Sequence, residues 1–481
     1  MLEKGFYCLL DECEQLMVRI TNYFLQNDVE HLTLLHLKKV LSVSTYQAKL
    51  ACDQLTAIAD KIDNDEAFGF SFDKENGLTF HNVTTQTLEL LTLILAYNSL
   101  NIQILLNDGL GIGGSRDTFL KKAGISQSTY YRCKKKMFRD LQEEFPDQKM
   151  TNEIENRALL QHITFFFFGS DQFPMVNLSK QLHNTLNFLI FNWQLDPTYT
   201  EKKELAHFVA VQLLRIKNKQ RILTEEDDLL THPFGKHFER TQEYLMRNLG
   251  LTEKQAYHEA LFFNAYIIIY DGSPLSKQSL LKRKKEIDRL TNQQLTIIEN
   301  NLNVHDCRRE FPNFVKELTK LNTQTLSPFF FINSYLDHQT TFEVMRSYPM
   351  TENLAHKFIN LRKQIKLPFL SEYSALQLLY QYSILIVTDL PADVIDDQLH
   401  IVADFSLGRI YSQFIQQQLS RLVNANIVID PKINRQTDLF ISDKFNAGIK
   451  VKQITWNCPP TKQDWQKLRS TIVDMHTKKI N

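Results

Sequence analysis

The chain has 481 residues with 55 acidic and 55 basic side chains, so its formal net charge is zero. Any affinity for nucleic acid must therefore come from local clusters of basic residues. Apolar residues make up 43% of the chain and charged residues 23%, which argues against a disordered or fibrous protein. A chain of this length is too long for a single compact core, which predicts several domains. Glycine is scarce, with 14 residues in all, and this favours a mainly helical fold over β-sandwiches and β-barrels, which need many tight turns.

The six cysteines are scattered, without a CxxC pair or a metal-like grouping with histidine. Isolated thiols of this kind are typical of a reducing compartment. The N-terminus, MLEKGFYCLLDECEQL, carries acidic residues where a secretory signal needs a basic and then an apolar run, and no apolar stretch approaches the roughly 20 residues of a membrane span. We therefore expect a cytoplasmic protein with no membrane partner, no metal and no cofactor.

Residues 1–82 are predicted to form a winged helix-turn-helix domain. LTLLHLKKVL has helical spacing and is followed, after the turn SVS, by a second helix, TYQAKLACDQLTAIA. FGFSF (68–72) and LTFH (78–81) flank the turn DKENG and read as the two strands of a β-hairpin. Tyr46 and Lys49 are the predicted DNA contacts, although the sparse basic residues fit a packing or dimer element equally well.

A second helix-turn-helix domain is predicted in residues 83–164. In SRDTFLKKAGISQSTYYRCKKKMFRDLQEE, Gly124 permits a left-handed turn and Ser126 is placed to cap the helix that follows. Eight basic residues oppose one acid between Ser115 and Arg139, an excess that favours a helix bound in the DNA major groove over a merely solvated one. The predicted DNA-contacting residues are Gln127, Ser128, Thr129, Tyr131, Arg132, Lys134, Lys135, Lys136 and Arg139.

The remaining chain is predicted to form three further domains. Amphipathic and apolar helices, uninterrupted by a catalytic motif, are divided by the polar run DGSPLSKQSLLKRKKE into two helical bundles, 165–285 and 286–392. In 393–481 the short runs HIVADF, ANIVID, TDLFIS and IKVKQIT alternate with helices, which predicts a small α/β domain with a parallel sheet.

In this order of domains, and in segments such as FLKKAGISQSTYYRCKKKM and LAHFVAVQLLRIKN, essentially the whole chain resembles the Mga/AtxA-type transcription regulators of Gram-positive bacteria. The resemblance implies two helix-turn-helix domains, two PRD-like helical bundles and a C-terminal domain similar to the EIIB component of the sugar phosphotransferase system. It also implies an activator of virulence or metabolic genes that binds double-stranded promoter DNA as a homodimer or higher oligomer. In such a regulator, histidines phosphorylated by the phosphotransferase system's phosphocarrier protein control assembly and activity.

His207, in ELAHFVAVQLLRIK, best matches the phosphorylated position that the resemblance implies in the first bundle. A neutral imidazole accepts a phosphoryl group near pH 7, and Lys203, one turn earlier, is placed to pair with it. Taken without the resemblance, His207 is interpreted as a partly buried structural histidine. His305, His338 and His356 are the candidates in the second bundle, and a structural role is the favoured interpretation of each.

EIIB domains carry phosphate on a cysteine in the loop after their first strand, and the resemblance implies that residues 404–408 form the corresponding loop in this chain. That loop reads DFSLG, with Ser406 but no cysteine, and Cys458 is predicted to follow the last strand instead. We therefore expect a non-catalytic domain used for contacts or oligomerisation, in a protein that is not an enzyme. Two alternatives stay open: a phosphocarrier component of the sugar system and, less favoured, a PRD-type RNA antiterminator.

Overall fold

The structure is a computed structural model that describes residues 5–27, 29–59, 69–73, 77–81, 83–146, 152–169, 179–222, 235–270, 283–302, 304–327, 349–365, 367, 372–395, 398–422 and 427–480. Within these ranges the chain is mainly helical, as predicted, and it contains two small sheets. Contacts divide it into two compact units, Met1–Arg283 with Gln324–Asp337, and Lys284–Thr323 with His338–Asn481. The predicted five-domain division is finer than these units and stays a prediction.

The N-terminal part of the first unit contains a short 3-10 helix (Gly5–Leu9), three α-helices and a three-stranded antiparallel sheet of order β1-β3-β2. The predicted helix, turn, helix and hairpin are present, and the turn between α2 and α3 places Ser42 at a φ of 54°. Strand β1 was not predicted because two residues are too few for an alternating pattern. These elements are α1 (Glu12–Asn27), β1 (His31–Leu32), α2 (Leu34–Leu41), α3 (Thr45–Ala59), β2 (Gly69–Asp73) and β3 (Gly77–His81).

The next four helices are joined by short connections and bury an aliphatic core that includes Leu91, Leu95, Ile104 and Leu110. They are α4 (Thr85–Asn98), α5 (Leu100–Leu110), α6 (Arg116–Ala123) and α7 (Gln127–Glu144). Among the described residues, no single helix is both long and apolar enough to cross a membrane. Helices α4 and α5 pass that test only when joined, and they are bent by 67° where they meet.

A bundle of five described helices completes the first unit, and a buried group of charged residues lies in its core. This buried ion cluster consists of Glu153, Arg157, Arg215 and Glu259; the Arg157 guanidinium, fully buried, donates to Glu153 and Glu259. Burial by itself would lower the pKa of Arg157, but the two carboxylates raise it above its ordinary value. The helices are α8 (Glu153–Phe168), α9 (Ser179–Trp193), α10 (Tyr199–Lys217), α11 (Lys236–Leu249) and α12 (Glu253–Tyr270).

The second unit begins with another helical group whose core contains a buried polar network. The Asn322 amide donates to Thr291 Oγ1 at 2.9 Å and to Gln294 Oε1 at 2.7 Å, and the Tyr382 hydroxyl donates to Asn322 Oδ1 at 2.7 Å. The helices are α13 (Lys284–Asn301), α14 (Cys307–Glu310), α15 (Pro312–Thr325), α16 (Pro349–Gln364), α17 (Glu372–Asp389) and α18 (Ala392–Ile395).

The chain ends in a four-stranded parallel sheet of order β5-β4-β6-β7, which confirms the predicted α/β arrangement. Helices follow β4 and β7, whereas the connections after β5 and β6 are loops between Ile429 and Thr437 and between Ser442 and Lys452. The elements are β4 (Leu399–Ala403), α19 (Arg409–Leu422), β5 (Ile427–Ile429), β6 (Thr437–Ser442), β7 (Lys452–Thr455) and α20 (Lys462–Ile480).

Candidate nucleic-acid interface

The turn between α6 and α7 is built as the sequence predicts. Gly124 ends α6 at a φ of +64°, and its N–H bonds to Leu120 O. Ser126 is the N-cap of α7, where its Oγ accepts from the Thr129 N–H at 3.1 Å and so satisfies one of the free amides of the first turn. In this first turn, Gln127 and Ser128 are exposed on the surface.

Helix α7 has one buried and one exposed face. Tyr130, Met137 and Leu141 are buried and Cys133 is half-buried, which confirms the predicted inward stripe. Of the predicted DNA-contacting residues, Thr129 is half-buried and belongs to the cap through its hydroxyl, 3.0 Å from Ser126 Oγ. The exposed members of that set on α7 are Gln127, Ser128, Tyr131, Arg132, Lys135, Lys136 and Arg139.

The basic residues near the turn differ in whether they have an acidic partner. Arg132 and Lys135 on α7, and Lys121 and Lys122 on α6, are exposed and have no acidic partner among the residues that the structure describes. Exposed basic side chains of this kind are what phosphate binding requires.

Three other predicted phosphate-binding residues are held in ion pairs. Lys134 pairs with Asp108 of α5, and Lys136 Nζ lies 3.8 Å from Glu12 Oε1. Arg139 Nη2 lies 2.9 Å from Asp140 Oδ1, and its Nε is 3.7 Å from a Glu143 carboxylate oxygen. Sequence reasoning missed these partners in part because Asp108 and Glu12 lie on other helices. The pairs reduce the net positive charge that these three side chains present to solvent.

Asp108 also receives a hydrogen bond from the buried face of α7. The Tyr130 hydroxyl donates to Asp108 Oδ1 at 2.6 Å. Burial by itself would raise the pKa of Asp108, but the hydrogen bonds from Lys134 and Tyr130 hold it below its ordinary value. On the exposed side, Arg116 Nη1 donates to the hydroxyl of Tyr131, a predicted DNA-contacting residue, at 2.8 Å.

The first helix-turn-helix segment presents a different surface. Tyr46, in the first turn of α3, is 75% exposed, whereas Lys49 is half-buried. Leu35 is 77% exposed and Leu50 is 37% exposed, and polar side chains, Lys38 and Lys39 among them, occupy most of the other exposed positions of α2 and α3. This surface lacks the basic concentration of α6 and α7, and the choice between DNA contact and packing element stays open.

The histidine candidates lie in contrasting environments. His207 on α10 is only 4% exposed, and the ring of Phe165 packs edge-on against it at 5.4 Å. Burial, assisted by the charge of Lys203, lowers the pKa of His207 to about 4, so its imidazole is neutral near pH 7. A phosphoryl donor would reach it only after local opening of the bundle. His305 is exposed, His356 is exposed with Nε2 3.8 Å from Glu352 Oε1, and His338 lies outside the described residues.

At the carboxyl edge of the parallel sheet, the loop after β4 is bonded to a carboxylate of the chain itself. The Ser406 N–H donates to Asp443 Oδ1 at 2.8 Å, and its hydroxyl donates to the other oxygen. Hydrogen bonds from Ser406 lower the pKa of Asp443. Cys458 follows β7, as predicted, but the fold brings it beside Tyr411 in the first turn of α19, where burial and the Cys458 side chain raise the pKa of Tyr411.

In the part of the chain that the structure describes, no group of three or more histidine, cysteine, aspartate or glutamate side chains is arranged to hold a metal ion. Comparison with models of known protein families gives no match, and comparison with curated proteins gives none either. The resemblance to Mga/AtxA-type regulators therefore stays a prediction that rests on domain order and on the segments quoted above.

Proposed function

We propose that the chain is a DNA-binding transcription regulator whose principal DNA contact is helix α7. One observation carries this proposal: an exposed, N-capped helix that follows a tight turn bears Arg132 and Lys135, basic residues without an acidic partner among the described residues. Lys121 and Lys122 on the preceding helix add to the same local excess of positive charge. Such an excess is what phosphate binding needs in a chain whose net charge is zero.

The proposed contacts divide by chemistry. Gln127 and Ser128, in the exposed first turn of α7, are placed to reach base edges in the major groove, where glutamine pairs well with adenine. Arg132 and Lys135 lie farther along the exposed face and would bind phosphates, which set position rather than sequence preference. Helix α3, with Tyr46 exposed and the β2-β3 hairpin as its wing, is proposed as a second and weaker contact.

The proposal includes control by phosphorylation of PRD-like bundles and assembly as a homodimer or higher oligomer. The neutral imidazole of His207 and the nearby Lys203 support a phosphate acceptor in the first bundle, since the added dianion would repack a buried helix interface. An exposed apolar face on the EIIB-like domain supports self-association. It contains Leu407, Ile410 and Phe414, which are 62%, 86% and 52% exposed.

A phosphocarrier role is less well supported. The loop after β4 has Ser406 where a phosphocarrier of this type needs a nucleophilic cysteine, and its hydrogen bonds already go to the Asp443 carboxylate. A phosphate there would compete with that carboxylate for the same donors.

Binding of a fluorescently labelled DNA duplex of random sequence, measured by anisotropy at several salt concentrations, tests the central proposal. We expect binding at low salt whose affinity falls steeply as salt rises, because phosphate contacts release counterions. Absence of binding at low salt would contradict the proposal. Incubation with the general phosphocarrier protein and a labelled phosphate donor separates the alternative, since rapid onward transfer to a sugar is expected only of a phosphocarrier.

Sedimentation tests the proposed switch at His207. We expect His207→Asp and His207→Ala proteins to differ in oligomer size, because only the first introduces a negative charge into the bundle. Identical oligomer sizes together with identical DNA binding would remove His207 from the proposal.

A further inference from the structure

We infer that the last turn of α5, Asp108–Leu110, connects helix α10 of the first bundle to helix α7, so that the placement of α10 sets the DNA affinity of α7. We call Asp108–Leu110 the connecting turn. The inference rests on the proposed function for its DNA readout, but its structural basis is a set of contacts within the first compact unit. On one side, the carbonyls of Gly109 and Leu110 accept hydrogen bonds from Arg215 and Asn218. On the other side, the Asp108 carboxylate accepts hydrogen bonds from α7.

Arg215 of α10 and Asn218, the residue that caps the end of α10, bond to the carboxyl end of α5. Arg215 Nη1 donates to Gly109 O at 2.7 Å, and Asn218 Nδ2 donates to Leu110 O at 2.7 Å. The last carbonyls of a helix have no partner within the helix, so these bonds satisfy groups that would otherwise need water. Arg215 is itself only 7% exposed and donates from Nε to Glu153 at 2.8 Å. The end of α5 is therefore fixed to the buried ion cluster.

The connecting turn is closely packed against Leu160 of α8 and against Asn218. A Cβ atom on Gly109 would lie 2.7 Å from Leu160 Cδ2 of α8, which is closer than real contacts allow. Gly111, just after the turn, has a φ of +67° and lies against the Asn218 side chain. Because the Asn218 side chain contacts Gly111 and the Leu110 carbonyl directly, we expect a shift at the carboxyl end of α10 to displace the end of α5.

On its other side, the connecting turn holds α7 through one carboxylate. Asp108 accepts from the fully buried Tyr130 and from Lys134, both on the first half of α7. Arg132 lies between these two residues in sequence and points outward. Asp108 is thus a positioning residue: it orients the segment of α7 that carries the proposed phosphate contacts. His207 lies two turns before Arg215 on α10, so a charge added there acts on the helix that holds the connecting turn.

Asn218→Ala is the variant that tests the connection, and Asn248→Ala is its matched control. Both asparagines are exposed and lie at the carboxyl ends of bundle helices, but the Asn248 amide bonds to Tyr244 O of its own helix. Arg215 is unsuitable, because its removal leaves the buried Glu153 without a partner and threatens the fold.

The first measurement is amide hydrogen exchange in residues 127–146 without DNA. We expect exchange in Asn218→Ala to be about two- to tenfold faster than in Asn248→Ala, the range set by one lost hydrogen bond. Equal exchange in the two variants would overturn the connection.

The second measurement is affinity for the random-sequence duplex as a function of salt. We expect Asn218→Ala to bind about two- to tenfold more weakly than Asn248→Ala with the same salt slope, because the phosphate-binding side chains are intact and only their placement is looser. Equal affinities would overturn the coupling to DNA binding. If the unsubstituted protein does not bind DNA, the proposed function fails, and hydrogen exchange alone then decides whether α10 and α7 are connected.

Discussion

The division of the α7 bases into free and paired residues predicts which of them determine the salt dependence of DNA binding. We consider the double substitution Arg132→Ala with Lys135→Ala, which removes two exposed charges without an acidic partner among the described residues. Each lost phosphate contact lowers the slope of log affinity against log salt by about 0.9, so the slope should become shallower by about 1.8. Between about 50 and 200 mM salt, the variant should therefore lose about tenfold less affinity than the unsubstituted protein.

A matched control removes the same net charge from the same helix. Lys136→Ala with Arg139→Ala deletes two exposed bases that face Glu12, Asp140 and Glu143. Because these carboxylates already reduce the local potential, we expect the slope to change by less than half as much as in the first double variant. Fluorescence anisotropy titrations at four or more salt concentrations measure both slopes, and circular dichroism verifies that both variants are folded.

Two results would refute this reasoning. Equal slope changes in the two double variants would mean that the intramolecular ion pairs do not decide which bases meet phosphate. An unchanged slope in Arg132→Ala with Lys135→Ala, in a protein that still binds DNA, would move the interface away from α7.

Three further predictions concern stability. Ser126→Ala should weaken the first turn of α7 by about 1 kcal/mol, seen as faster amide exchange there. Gln127→Ala, which removes an exposed side chain of the same turn and leaves the Ser126 hydroxyl in place, should change it by less than half as much; equal effects would contradict the capping role. Glu259→Gln removes one of the two carboxylates that neutralise the buried Arg157 guanidinium, and it should lower the free energy of unfolding, measured in urea, by about 3–5 kcal/mol. Glu243→Gln, in an exposed ion pair on α11, should lower it by less than about 1 kcal/mol. His207 has a folded-state pKa of about 4, below its ordinary 6.5, so the unfolded state binds more protons between these values and stability should fall as pH drops through this window. His207→Gln should remove that part of the pH dependence, on the order of 3 kcal/mol in unfolding free energy, and an unchanged pH profile would show that other groups produce it.

The elements that could be predicted are those whose signals lie within a few residues of one another. Gly124 and Ser126 were identified from the sequence because a left-handed turn and an N-cap each depend on local backbone geometry. The inward stripe of α7 and the parallel strands of the last domain followed from periodicity. Strand β1, two residues long, carries too little pattern to be recognised.

The candidate site was predicted as a set of residues but not as an arrangement of charges. The sequence does not show which basic residues of α7 have acidic partners. In the structure, Lys134 is paired with Asp108, which lies 26 residues away on another helix. His207 likewise could be singled out by its position in a helix, whereas its burial depends on Phe165 and the rest of the bundle.

The sequence determines where the helices begin, which face of each is apolar and where basic residues are concentrated, because these properties repeat or terminate over a few residues. Tertiary structure decides which charges are neutralised, since an ion pair forms between side chains that packing brings together regardless of their separation along the chain. It is also tertiary structure that joins α10 to α7 through Asp108–Leu110, because carbonyls at a helix end take their partners from whichever element packs against them.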